Sequence, residues 1–216
     1  MHYIKQVIKI LYTDFKIEWR EKHQLFSLFL YIASSAFIAY MILKADVAPR
    51  ISISVFWIIL GFGAVTSTSR SLIRETSTRF LFYYQTVPPS LLIVSKITFN
   101  ALLLGVVSVF TAWLFDLLFH TQFSLSYLLG ISLLGALAFA STLTLIAGIS
   151  AAVQGNAAIM AVLSFPLLIP QLLVLIRISE AMLIGVESTR YVVASLLLDL
   201  ITVALSIVLF PFLWKE

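Results

Sequence analysis

Few side chains in this sequence are of the types that do chemistry. The three histidines are His2, His23 and His120, and no two have the spacing of metal ligands. A lone imidazole such as His120 ordinarily makes a hydrogen bond at an interface; its other use is as an axial ligand to iron. Cysteine is absent, which excludes disulfides, thiolate metal sites and a CxxCH attachment motif. Among the carboxylates, Asp199 lies eight residues into an apolar run, about 10 Å below the surface at a helical rise of 1.5 Å per residue. A charge at such a depth costs about 2.5–3.5 kcal/mol on insertion scales, which makes it a functional candidate. Two readings stand for it: a polar cavity or neighbouring subunit, or hydrogen bonds to Ser195 or Thr202 on its own helix. Asp116 is near enough to an interface to be hydrated, and Lys96 is expected to snorkel to the surface. No chain of acids crosses the apolar runs, which disfavours a proton-coupled carrier. No Walker A motif, Gly-rich dinucleotide turn, HExxH or nucleophile elbow is present, so the chain is not expected to be an enzyme by itself.

The densest polar stretch is SRSLIRETSTRFLFYYQTVPPS, Ser69 to Ser90, set between two apolar runs. Arg70, Arg74, Glu75 and Arg79 are followed by Phe80, Phe82, Tyr83 and Tyr84, then by Pro88-Pro89. On a helix, Leu72, Glu75, Arg79 and Phe82 or Tyr83 share a face. Such a helix suits docking to a protein below the membrane, with apolar anchors in a groove and charges fixing register. The residues alone equally allow an interfacial loop whose aromatics anchor to lipid and whose arginines meet headgroups.

The elements that position these residues follow from composition. The 216 residues are 61% hydrophobic and 11% charged, and mean hydropathy is +1.07. Soluble domains carry about 25% charged residues, so this is a membrane protein of one domain, residues 1–216. The formal charge of +4 does not form a basic domain, and no nucleic-acid partner is expected. A spanning helix needs about 20 apolar residues. Six runs qualify: 25–43, 51–69, 91–119, 125–152, 157–176 and 192–214. The fold class is therefore all-α and polytopic. Ten of the fourteen Lys and Arg residues fall on the side of the N-terminal segment and the 70–88 loop, which places both termini and that loop in the cytoplasm.

Residues 1–24 read as an amphipathic interfacial helix, with Ile4, Val7, Ile8, Leu11, Phe15 and Trp19 on one face and Lys5, Lys9, Lys16 and Glu18 off it. Small residues recur in the fourth run (Gly130, Gly135, Ala136, Ala138, Ala140, Ser141, Gly148, Ala152), which allows close helix packing. Pro166 and Pro170 sit four apart in the fifth run. Each removes a backbone donor and bends a helix, as suits a moving or cavity-lining span. Residues 177–191 read as a polar break, either a solvated loop or a short outer helix with Ile178 and Met182 on its apolar side.

These features together resemble an ABC-2-type permease. More narrowly, the chain resembles the haem exporter protein B (CcmB) family of cytochrome c maturation. The matching pieces are IEWREK (Ile17–Lys22), IRETSTRFLFYYQTVPPSLLIVSKITFN (Ile73–Asn100) and NAAIMAVLSFPLLIPQLLV (Asn156–Val174), the last with the family's most specific core, FPLLIP. Members often carry glycine in the coupling loop, where Ser77 and Thr78 stand here. The resemblance implies an inner-membrane permease subunit with ATP bound on a separate CcmA-like ATPase and no cofactor or metal of its own. It implies CcmC- and CcmD-like haem-handling partners, two permease copies per complex, and haem as cargo delivered to a periplasmic CcmE-like chaperone. Under it, Arg70, Arg74, Glu75, Arg79, Phe82 and Tyr83 form the ATPase-coupling loop. The family leaves two mechanisms open, passage of haem through this subunit or transmission of ATPase work that releases the loaded chaperone. The alternatives are an ABC-2 permease for a lipid, polysaccharide or drug, or an assembly scaffold without an ATPase.

Overall fold

In a bilayer each backbone polar group must be satisfied within the protein, so long apolar runs close into helices. The computed structural model describes residues 2–43, 48–73, 87–119, 125–152 and 157–213, excepting the side chains of 2–5, 69–73, 152, 157–159, 161 and 213. The described residues hold seven helices and no strand: α1 (His2–Arg20), α2 (Lys22–Leu43), α3 (Pro49–Ile73), α4 (Pro89–Phe119), α5 (Leu125–Ala152), α6 (Ala157–Ile184) and α7 (Thr189–Leu213). The last six are long and apolar enough to cross a membrane.

Their ends have local causes. Pro49 and Pro89 each occupy a first helical position, where a missing N–H costs nothing. The carbonyls of Ala48 and Pro88 accept the first helical bonds there, from Ile51 at 2.8 Å and Leu91 at 3.0 Å. Helices α1 and α2 are separated only by a turn at Glu21, whose carboxylate accepts a hydrogen bond from Gln24 Nε2 at 2.7 Å. At the end of α6, Gly185 has φ +72°. There the Val186 N–H donates to Ala181 O at 2.9 Å and the Gly185 N–H to Met182 O at 3.2 Å, a Schellman cap that needs the left-handed residue.

That cap corrects the polar break expected at 177–191. Helix α6 runs on to Ile184, and only 185–188 lie outside a helix. The inward positions continue past 176 at helical spacing: Leu175, Ile178 and Ser179 are all fully buried. Of the charges there, Glu180 is held by Arg50 on α3 at 2.6 Å and by Arg177 at 3.3 Å.

Helix α5 is the axis of the bundle, with 72% of its span buried against 17% for α2 and 11% for α7. Its small residues explain this. A Cβ at Gly135 would overlap the Trp57 ring, and one at Gly148 would stand 3.2 Å from the Phe210 ring. Neighbouring helices therefore approach α5 closely. One half of the core is aromatic: Phe56, Trp57, Phe115, Phe119 and Phe139 meet edge-on or stacked, with ring centroids 5.1–6.2 Å apart. Helix α4 has 31 residues, about 46 Å, and outreaches a hydrocarbon core of about 30 Å.

Candidate functional site

Two groups of polar side chains stand out from this apolar frame. The first lies where α1 meets α4. Lys96 was expected to snorkel; it is 2% exposed, and its Nζ is 2.9 Å from Asp14 Oδ1, itself on a residue 7% exposed. Asp14 lies within the N-terminal segment read as interfacial, and only the fold brings the two together. Around them Ile10 of α1, Leu92 and Ile93 of α4 and Phe210 of α7 form a small apolar cluster, with Val87, Leu91 and Ile97 against it. The face of α1 that docks is thus Ile10 and Asp14. The apolar stripe read from the sequence stays open, with Ile8, Phe15 and Trp19 about 60% exposed. With Leu25 and Phe29 of α2 and Phe99, Leu102 and Val106 of α4, that stripe lines an apolar groove of about 720 Å³. Lys22 Nζ lies 5.4 Å over the Trp19 ring.

The second group lies at mid-height, where α5, α6 and α7 meet. Gln171 Nε2 donates to Asp199 Oδ1 at 3.0 Å and to Thr142 Oγ1 at 3.4 Å. The Ser141 hydroxyl reaches the same Oδ1 at 3.4 Å and the Ala138 carbonyl at 3.0 Å. Thr202 Oγ1 is 3.0 Å from Ser141 Oγ and 2.9 Å from the Asp199 carbonyl. Nearby, Asn100 Nδ2 donates to Thr144 Oγ1 at 2.9 Å, joining α4 to α5.

The side chain of Asp199 does not make the own-helix bonds to Ser195 or Thr202. Its carboxylate is met from two other helices, by Gln171 and Ser141. Thr202, one turn on, bonds its main-chain oxygen rather than its side chain, and Ser195, one turn back, has no partner for its hydroxyl. A one-dimensional reading finds neighbours at i±3 and i±4 only; Gln171 is 28 residues away and was missed. A signal existed, since Gln171 directly follows Pro170 in an otherwise apolar stretch.

Pro166 and Pro170 lie on the exposed side of α6, flanked by Phe165 and Ile169, while Leu168 and Gln171 face inward. Phe165 contacts Phe62 of α3, with ring centroids 5.6 Å apart. Arg74, Glu75, Arg79, Phe82, Tyr83 and His120 lie outside the described residues. Arg70 is in the last turns of α3, its side chain likewise outside them. No group of three or more His, Cys, Asp or Glu side chains with the arrangement of a metal site occurs among the described residues.

Five apolar helices around a sixth that bears glycine and alanine define a polytopic membrane protein. The CcmB protein family matches residues 5–215, nearly the whole chain, and the chain belongs to that family. It is accordingly a membrane subunit of the haem exporter ABC system and a multi-pass protein of the inner membrane. No curated protein and no solved structure matches it.

Proposed function

We propose that this chain converts ATP hydrolysis on a separate CcmA-like subunit into movement of the membrane domain, in the service of haem delivery to a periplasmic CcmE-like chaperone. Two copies work with CcmC- and CcmD-like haem-handling subunits, and both termini and the 70–88 loop face the cytoplasm. ATP binds the partner, and haem is cargo rather than a resident cofactor.

The observation that carries the reading is the junction below α4. The chain leaves the 70–88 loop at Val87 and enters α4 inside the cluster of Ile10, Leu92, Ile93 and Phe210. One turn further on, Lys96 is ion-paired with Asp14. A push on the loop therefore acts at once on α1, α4 and the end of α7. In the loop, Arg70, Arg74, Glu75 and Arg79 hold register against the ATPase while Phe82 and Tyr83 anchor, and the Pro166/Pro170 helix repacks in response.

The test is a haem stain of denatured membranes from a host lacking this gene, with and without the wild-type copy restored. Covalently attached haem should vanish from the c-type cytochrome bands and return on complementation; unchanged bands reject the haem assignment and leave a permease for another cargo. In the same host, Glu75→Lys should reach the membrane yet fail to co-purify with the ATPase. Normal co-purification would remove the loop from the coupling role.

A further inference from the structure

The mid-height cluster has more acceptors than donors. Gln171 is 2% exposed and both its bonds use the amide nitrogen; its Oε1 has no partner. Asp199 receives Gln171 and Ser141 on Oδ1 and nothing on Oδ2. Ser195, fully buried, has an unpartnered hydroxyl. The two heteroatoms of an amide are about 2.2 Å apart, so Gln171 Oε1 is within about 5 Å of Asp199 Oδ1. Ser195 is four residues before Asp199, on the same face of α7.

A carboxylate, an amide oxygen and a hydroxyl, backed by Ser141 and Thr142, make a hard, all-oxygen set with one negative charge. Among the described residues, no cation of the neighbouring helices supplies the balancing charge. Helix α5 carries no Asp, Glu, Lys, Arg or His at all. On α6 the charged groups are Arg177 and Glu180, bound to each other and to Arg50 at the end of the bundle. On α4 they are Lys96, paired with Asp14, and Asp116, three residues from the far end of the helix. On α7 itself, Arg190 lies nine residues away, at the helix start.

We propose that this cluster is a binding site for one monovalent cation, a proton or Na⁺, held by Asp199 Oδ2, Gln171 Oε1 and Ser195 Oγ. The bound ion neutralises the partly buried carboxylate and ties α5, α6 and α7 together. Gln171 follows Pro170, so occupancy bears on the kinked part of α6. No relay of acids leads away from the site, so the ion is a fixed counter-charge rather than a transported one. The inference is independent of the cargo and of the ATPase.

The experiment is thermal unfolding of the purified full-length protein in detergent, followed by tryptophan fluorescence, for wild type and Asp199→Asn. Four conditions are needed: NaCl or choline chloride at equal ionic strength, each at pH 6 and pH 8. An ion that binds only the folded state raises the melting temperature with its concentration. If Na⁺ is the ion, NaCl raises the wild-type midpoint over choline chloride at pH 8. If a proton is the ion, the midpoint in choline chloride rises from pH 8 to pH 6 and NaCl adds nothing. Asp199→Asn loses either response, because its neutral amide needs no counter-charge. Ser195→Ala, a milder change, should shift the Na⁺ or proton concentration at half-effect about tenfold, as expected for one lost contact to a charge. A wild type that responds to neither ion, or a response that survives unchanged in both variants, overturns the site.

Discussion

At the scale of single residues, the buried Lys96–Asp14 pair sets the sharpest expectation. Removing one partner leaves a charge without its counter-ion in an apolar setting, which in soluble proteins costs about 3–5 kcal/mol. Lys96→Met or Asp14→Leu alone should therefore lower the melting temperature in detergent strongly. The double replacement, with no charge left to compensate, should recover most of the loss. Equal losses in single and double variants would show that the pair is not what holds α1. The glycines of α5 give a second contrast. Gly135→Ala forces the Trp57 ring to move and should cost about 1–3 kcal/mol. Gly130→Ala meets nothing within 4 Å and should be neutral or stabilise by up to about 1 kcal/mol through helix propensity. Thermal melts of the two variants side by side separate close packing from propensity.

At the scale of elements, the Schellman cap of α6 and the Arg50–Glu180 pair make opposite predictions about one end of the bundle. Gly185→Ala places a Cβ on a residue at φ +72° and should cost about 1 kcal/mol, visible as a lower melting temperature. Arg50→Ala breaks an ion pair whose arginine is 73% exposed, and should change stability by less than about 1 kcal/mol. What was legible in the sequence divides along the same line. Six spans were readable because apolar length is a local property; all six appear, and the limits of all but α6 fall within three residues of those expected. The end of α6 was misplaced by eight residues because Arg177 and Glu180 look like loop residues until Arg50 and the buried Ile178 are known. Asp199 was noticed for its depth, but its side-chain partners sit on other helices and no spacing rule reaches them. Lys96 was read as an isolated cation for the same reason: Asp14 is 82 residues away.

At the scale of the whole molecule, the absence of cysteine is an experimental convenience. Single cysteines can be introduced into an otherwise thiol-free chain. One at Lys22, at the start of α2, and one at Arg190, at the start of α7, should react with a membrane-impermeant maleimide from opposite faces of the inner membrane. The Lys22 position should react only once the cytoplasmic side is opened, and the Arg190 position in spheroplasts. The reverse pattern would invert the topology inferred from the Lys and Arg distribution.

The ion pair between α1 and α4 also sets an order of events during synthesis. Asp14 leaves the ribosome long before Lys96, and two complete spans, α2 and α3, are made in between. Until α4 has been inserted, Asp14 has no ion-pair partner and α1 lacks its main packing surface. It must wait at the bilayer surface, where Phe15 and Trp19 can sit at headgroup depth and the exposed Lys9 and Lys16 can meet lipid phosphates. The helix made first is thus among the last to be seated. A truncated chain ending before residue 96 should carry its N-terminal helix undocked, and should be cut there by added protease faster than the full chain.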